Sequence, residues 1–444
     1  MLLFNAMDVK ARNSFYLAGK TLESGLFPQL DAIKHWPVSF KAEFGLDTLP
    51  EEPGLILIRG ARQIGKSTWL EQQIYDHIQQ NGPNSTLYLN GDELLNADAL
   101  QKIIRDYLPL LSTTKTVPKI FIDEITAIPH WEQAIKRLYD AGETRHVLII
   151  TTGSKAIDLR RGTERLPGRK GRISRSNYIF THISFKQFKN QCESYFKEDL
   201  LWAYILTGGS PIAINELIQT GYLPEYVIDL TKDWILGECT LQGRSRNLLN
   251  WIIQAVIARG GDPIPLDKLA KECGAANNTV VRGYVDLLGD LLALSTVYPV
   301  DSNTGHPVPR KSQKYAWTYS LAAVSFDPRR LRSVEDFKKL SSEQQACWLE
   351  WLVAGELFRR AAIAGHETPE LLYYWQSSQH ELDYRVSDRH WLEIKRGQTR
   401  ETDFMWFPHV FPKQFLQVLS LESTFQSGFS EGITFETFLL DPAC

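Results

Sequence analysis

Two groups of residues in this chain have the types and spacing that chemistry on phosphate requires. The first is Gly60-Ala61-Arg62-Gln63-Ile64-Gly65-Lys66-Ser67-Thr68, which follows the apolar run Leu55-Ile56-Leu57-Ile58. Glycines at the first and sixth places let main-chain N–H groups fold around phosphate oxygens. A lysine in the place of Lys66 reaches the terminal phosphates, and a hydroxyl in the place of Ser67 holds a magnesium ion. The pattern predicts a nucleoside triphosphate with Mg²⁺ as ligand. Such a site needs a second acidic group, and Asp123-Glu124, at the end of the apolar run Lys119–Ile122, supplies it. Asp123 is expected to bind Mg²⁺ through water, and Glu124 to orient and deprotonate the attacking water. The second group is Asp383, Glu393 and Lys395. Its two carboxylates can bind Mg²⁺ or Mn²⁺, which stabilises charge developing on a phosphodiester, while the lysine positions the attacking water. Glu350 is the expected third acid, with Glu356 as second candidate.

Supporting residues follow from the same logic. The run His146–Ser154 ends in Thr151-Thr152-Gly153-Ser154, and in a parallel sheet that end lies beside the phosphates. Thr152 or Ser154 is therefore a candidate γ-phosphate sensor, although ordinary turn chemistry would read the same way. Between residues 160 and 175, seven cations (Arg160, Arg161, Arg165, Arg169, Lys170, Arg172 and Arg175) face one acid, Glu164. Three readings stay open: an arginine that completes a neighbouring subunit's nucleotide site, with Arg169 chosen for that role; contacts to nucleic-acid phosphates; or a solvated loop.

The elements that must position these groups can be read in outline. Strands at 55–58, 85–90, 119–123 and 146–151 alternate with helical stretches, which predicts an α/β parallel sheet covered on both faces. After residue 244 come three short helices, Arg246–Ala258, Pro265–Glu272 and Thr279–Leu291. Asn277 or Asn278 caps the last, and a strand, Ala293–Val300, follows. That is a winged-helix outline, whose third helix would offer Asn277, Asn278, Thr279 and Arg282 to DNA; a packing domain is the alternative. Asp301–Ser312 reads as a linker. In the last third, a helix over Ser342–Ala364 carries Glu350 and Glu356, and a strand over Leu371–Trp375 follows it. A turn at Ser387–His390 would then set Asp383 opposite Glu393. Glu393 and Lys395 share one strand face, and a slip of one residue would scatter the set. The aromatic tail after Thr399 is expected to finish the core of this domain, with a stacking platform for single strands as the lesser reading.

Taken in order, R-G-A-R-Q-I-G-K-S-T, F-I-D-E-I, Trp131 with I-K-R-L-Y-D, T-T-G-S, L-P-G-R, I-S-F-K-Q-F and T-G-G-S-P resemble the prokaryotic AAA+-type ATPases that pair a P-loop core with a C-terminal domain similar to PD-(D/E)XK nucleases. The likeness runs from about Leu55 to about Gly397. It implies ATP rather than GTP, and a helical lid begun by Gly208, Gly209, Ser210 and Pro211, with Pro211 beside the nucleotide. Two places depart from the family pattern: further basic residues follow Gly-Arg, and His182-Ile183-Ser184-Phe185 stands for Pro-Leu-Ser-Phe. The expected architecture is a P-loop core with an N-terminal extension (1–190), a lid (191–243), a winged-helix-like domain (244–300) and an α/β nuclease-like domain (313–444).

Bulk properties are those of an ordinary globular chain. The 444 residues are 43% hydrophobic and 23% charged, with a net charge of −3, which excludes a strongly basic DNA-coating protein. Five scattered cysteines and unclustered histidines predict no disulfide framework and no zinc site. No apolar run approaches the ~20 residues of a membrane span, and the start of the chain is a poor signal peptide, so a cytoplasmic protein is expected. Two functions from different classes follow. One is an ATP-driven enzyme that binds or cuts DNA, with a homo-oligomer as its candidate assembly. The other is a nucleotide-gated switch or scaffold whose nuclease-like domain only binds.

Overall fold

A computed structural model describes residues 8–111, 116–154, 171–422 and 424–441. The chain forms two compact units, Met1–Thr181 and His182–Cys444.

In the first unit, strands β1 (Gly54–Arg59), β2 (Thr86–Asn90), β3 (Lys119–Asp123), β4 (Leu148–Gly153) and β5 (Asn177–Ile179) make one sheet in the order β2-β3-β4-β1-β5, with every pairing parallel. Strand β4 is buried along its whole length and β1 and β3 are buried except at their ends, which is why they read as apolar runs. Helices α1 (Val9–Leu17), α2 (Pro28–Ile33), α3 (Lys66–Asn81), α4 (Ala97–Tyr107) and α5 (Trp131–Asp140) accompany the sheet. Leu100 and Ile104 of α4 and Trp131, Ile135 and Leu138 of α5 pack on the strand residues Leu87, Ile120 and Ile149. The segment before the sheet has a definite role. The Asn13 side chain on α1 donates to Tyr88 O at 2.7 Å and accepts from Tyr88 N at 2.8 Å, completing the hydrogen bonding of edge strand β2. Strand β5 was not foreseen; three residues after a basic stretch are too short to show a period.

The second unit begins with helices α6 (Phe185–Phe196), α7 (Leu200–Thr207), α8 (Pro211–Thr220) and α9 (Glu225–Leu241). Phe185 and Phe188 of α6 pack on Tyr204 of α7, and the division between the two compact units falls at Thr181. Next come α10 (Arg246–Arg259), α11 (Leu266–Glu272) and α12 (Asn278–Asp290); the Asn277 side chain caps α12 by accepting from Val280 N at 3.0 Å. Strand β6 (Leu294–Pro299) pairs antiparallel with β7 (Lys314–Trp317). After α13 (Ser320–Phe326), α14 (Val334–Lys338) and the long α15 (Ser342–Ala364) come β8 (Leu371–Gln376) and β9 (Glu381–Leu382), giving a four-stranded sheet ordered β7-β6-β8-β9. Residues 301–312 are therefore no linker but the connection between two paired strands, and the expected boundary falls inside a sheet. Gly, Pro and Asn content reports a turn, not whether the flanking strands pair.

A second sheet holds β10 (Tyr384–Ser387), β11 (His390–Ile394), β12 (Phe415–Ser420), β13 (Phe425–Gln426) and β14 (Ser430–Thr434) in the order β10-β11-β12-β14-β13. Short helices α16 (Phe407–Val410) and α17 (Phe435–Leu440) complete it. Trp391, Phe404, Phe407, Phe411, Leu416 and Val418 form its core, as expected for the aromatic tail. Trp406 has His380 stacked on one side, 4.1 Å between centroids, and Trp375 at 5.8 Å, so its ring is used in packing.

Candidate nucleotide site and acidic cavity

The loop between β1 and α3 is shaped by its main chain. Gly65 caps α3 at φ +101°, a conformation that side chains rarely allow, and Gln63 is also left-handed, at φ 61°. Alternation of this kind turns N–H groups to one side and makes a concave anion site. Lys66 opens α3, with Ser67 and Thr68 in its first turn. Lys66 is buried, and its Nζ donates to the carbonyls of Gly60 at 2.9 Å and Ala61 at 2.5 Å. Burial lowers the Lys66 ammonium to about 8, against the opposing pull of Glu124 and Asp123.

The acids stand at the carboxyl end of β3. Glu124 adopts φ 48°, which turns it out of the strand. Its Oε1 accepts from Ser154 N and Ser154 Oγ, each at 2.9 Å, and from Thr126 Oγ1 at 2.6 Å. Burial pushes the Glu124 carboxyl up, but Lys66 and the hydrogen bonds from Thr126 and Ser154 outweigh it and hold it below the usual range. Asp123 Oδ1 accepts from Glu124 N at 3.1 Å and from Thr152 Oγ1, and Thr152 Oγ1 also accepts from Glu124 N at 3.1 Å. Arg62 Nε donates to Ser154 Oγ at 3.2 Å. Thr152 and Ser154, expected to face phosphate, thus bond the two carboxylates. A cavity of about 900 Å³ lies at the opposite, amino ends of the strands, lined by Glu51, Gly54, Pro118 and His146, away from this chemistry. Arg160, Arg161, Arg165, Arg169 and Lys170 lie outside the described residues.

One contributor escaped sequence reasoning. A Cβ on Gly91, just after β2, would come within 2.2 Å of Glu124 O and 3.2 Å of Asp123 O. Only glycine lets the two turns meet. The Asn-Gly dipeptide signals a turn, but not what the turn touches.

A family model described as "AAA domain" matches residues 52–189. Residues 52–189 carry an AAA-type P-loop domain. An uncharacterised protein of Methanocaldococcus jannaschii is 39% identical over 110 residues, 24% of this chain, and the chain spans only 22% of that protein's length. A second protein of that organism, also uncharacterised, is 23% identical over 353 residues, 74% of this chain and 71% of its own. Among solved structures, the Walker-type ATPase of Pyrococcus abyssi has a TM-score of 0.40 at 13% identity, covering 67% of this chain and 93% of that one. The Aeropyrum pernix ORC1 protein, in complex with DNA, has a TM-score of 0.33 at 12% identity, covering 62% and 87%.

The second unit holds the other predicted set. Tyr384 pairs with Leu392 and Arg385 with Trp391, a register that continues to Asp383 opposite Glu393. Asp383 falls where the chain leaves β9 for β10, and so passes from one sheet to the other. Its Oδ2 accepts from Ile394 N at 2.8 Å. Asp383, Glu393, Lys395 and Glu350 line one cavity of about 820 Å³, with Glu381, Lys314 and the Gly260-Gly261-Asp262 turn. Lys314 was not foreseen, because it lies on β7, outside any local motif. Lys314 Nζ pairs with Glu381 and lies 3.2 Å from Asp383 Oδ1 and 3.9 Å from Glu350 Oε2. Lys395 pairs with Glu393 Oε1, whereas the buried Glu393 Oε2 has no hydrogen-bond partner.

The charges here perturb one another. Burial acts against the Lys314 ammonium, but Glu350, Asp383 and Glu381 outweigh it and hold it well above the usual lysine range. Burial and the Asp383 charge push Glu393 up to about 8 and raise Glu350 well above the carboxylate range. Carboxylates with a buried, unpartnered oxygen suit a hard divalent cation. Among the described residues no three His, Cys, Asp or Glu side chains converge to hold one, so any ion here keeps water on most of its faces.

Glu356 is excluded from the cavity. It is six residues from Glu350 on α15, about a third of a turn round the helix. Its carboxylate accepts from Arg359 Nε and Nη2 at 2.8 Å and from Arg360 Nε at 2.7 Å. Pro211 sits in the second unit at the first turn of α8. Among the described residues no helix is long and apolar enough to cross a membrane.

Proposed function

We propose that the chain hydrolyses Mg-ATP at the AAA domain, and that this turnover is coupled to DNA held and cut at the acidic cavity of the second unit. The observation that carries hydrolysis is Glu124: ionised, half-buried, beside Lys66, and fixed by two hydrogen bonds from Ser154. A base held this way can take a proton from an attacking water. Gly60 to Thr68 would surround the phosphates, with Lys66 at the terminal ones and Ser67 and Asp123 holding Mg²⁺. In this reading Arg169 would complete a neighbouring subunit's nucleotide site.

Cutting rests on the shared cavity of Asp383, Glu393, Glu350 and Lys395. Asp383 and Glu393 would hold Mg²⁺ or Mn²⁺, a bound ion would stabilise charge on the phosphodiester, and Lys395 would position water. The exposed start of α12, with Asn277, Asn278, Thr279 and Arg282, is the surface proposed to meet DNA. A cytoplasmic homo-oligomer is the assembly in which this would act.

One observation favours the rival reading, a nucleotide-gated switch whose second unit only binds. Lys314 and Lys395 already pair with the carboxylates that a metal would need. A cleavage assay decides. Linear, circular and branched DNA are incubated with the full chain and Mg²⁺ or Mn²⁺, with and without ATP, beside Lys395→Ala. Cleavage that needs Lys395 supports the nuclease. ATP hydrolysis without any cleavage supports the switch.

A further inference from the structure

This inference rests on reading the acidic cavity as a cation site, and concerns how many ions it takes. Four carboxylates (Glu350, Glu381, Asp383 and Glu393) meet two ammonium groups (Lys314 and Lys395). With all four carboxylates deprotonated, as metal binding requires, two negative charges are left over, the charge of one divalent cation; the other charged residues of the lining, Asp262 and Glu343 against Arg259 and Arg329, cancel. The two lysines differ in kind. The Lys395 side chain is 47% exposed and can swing away, whereas that of Lys314 is 6% exposed and held among three acids. Its Nζ stands between Asp383 Oδ1 and Glu350 Oε2, where the second ion of a two-metal site would have to bridge them. Independently of the charge count, Glu393 Oε2 is buried, unpartnered and part of a side chain that lines the cavity. Mg²⁺ and Mn²⁺ can be held by one or two carboxylates with water completing the shell, so Asp383 and Glu393 suffice for one ion.

We propose that Lys314 is the built-in second cation of this site, so that the cavity takes one divalent metal ion, on Asp383 and Glu393, and not two. The position of the lysine on β7, remote in sequence from the D…E-x-K set, makes it a positioning residue: it fixes Asp383 and Glu350 without itself binding metal.

The test counts Mn²⁺ bound to the full chain without nucleotide, from the loss of the free-ion EPR signal. Parent, Lys314→Met, Lys314→Arg and the double variant Asp383→Asn/Glu393→Gln are compared. The parent should bind one Mn²⁺ per chain more than the double variant, Lys314→Arg also one more, and Lys314→Met two more. Two additional ions in the parent, or one only in a folded Lys314→Met, would overturn the inference while leaving the cation site standing. No difference between parent and double variant overturns the cation-site reading itself. Near-UV circular dichroism checks the fold. If Lys314→Met fails to fold, the counts for parent and Lys314→Arg decide: one ion in each supports the built-in cation, and two in either refutes it.

Discussion

Glu124 Oε1 accepts both the main-chain N–H and the hydroxyl of Ser154, each at 2.9 Å. The end of the neighbouring strand β4 therefore aims the carboxylate that follows β3, and the two contacts are unequal under mutation. Ser154→Ala removes the hydroxyl bond and keeps the main-chain one. ATP turnover should fall roughly tenfold, equivalent to ~1.4 kcal/mol, with nucleotide affinity retained. Glu124→Gln should lower it by about 10²–10⁴-fold, the usual contribution of a general base. Single-turnover hydrolysis beside calorimetric nucleotide binding separates the two effects. Parent-like hydrolysis in Glu124→Gln would remove the base from its proposed role.

Acid should weaken the first unit through His77. Its Nδ1 lies 2.9 Å from Asn81 Nδ2 and 3.2 Å from Lys119 Nζ, both donors, so Nδ1 must accept. Burial and the Lys119 charge lower the imidazole from 6.5 to about 4. A folded-state value below the unfolded one means stability that is present above pH 6.5 and is lost as pH falls toward 4, at most about 3 kcal/mol. His77→Gln keeps an acceptor but cannot titrate. Urea unfolding between pH 4 and 7 should therefore be less pH-dependent in the variant; equal slopes would show that His77 contributes nothing.

Glu350 and Glu356 should behave oppositely. Glu356 is buried between two arginines, and removing one partner of such a pair costs about 3–5 kcal/mol. Glu356→Ala should thus lower the unfolding midpoint strongly. Glu350→Gln, at the cavity wall, should leave stability nearly unchanged and act on metal binding or cleavage. The reverse pattern in thermal melts would return Glu356 to the candidate site.

The legible parts of the molecule were those with local signals. The P-loop sits on the strand–turn–helix that its residues demand, and Asp383 falls opposite Glu393 as the alternation of the two strands suggests, although an irregularity between Arg385 and Ser387, which the sequence did not announce, sets that register. Helix α15 matches its expected span, bounded by the Ser341–Gln344 capping box and Gly365. What could not be read depends on distant pairing. Lys314 reaches Asp383 across 69 positions, and nothing near it in the sequence announces that. Residues 301–312 looked like a linker because turn composition is local, while the pairing of β6 with β7 and β8 is not. Glu356 looked like a cavity acid until Arg359 and Arg360 were seen to enclose it.

Gly91 offers a way to disturb the AAA domain's chemistry without touching a reactive side chain. A methyl group there would sit 2.2 Å from Glu124 O and 2.8 Å from Glu124 C, main-chain atoms that cannot move aside independently of their residue. Gly91→Ala must displace either the turn after β2 or the Asp123-Glu124 turn. The first outcome is a loss of stability with normal turnover in the protein that remains folded. The second moves Glu124 relative to Ser154 and Lys66. The carboxylate is held by three hydrogen bonds to Oε1 and the turn after β2 by its own, such as Asp92 N to Asn90 Oδ1 at 3.2 Å, so the turn should yield in part and Glu124 in part. ATP turnover should drop at least about tenfold, since small misplacements of a reacting group are known to lower rates that far. Nucleotide affinity, which rests on the β1–α3 loop, should hold. Measuring kcat, nucleotide Kd and the unfolding midpoint on one preparation tests this, and an unchanged kcat in Gly91→Ala would mean that the close approach does not govern the position of Glu124.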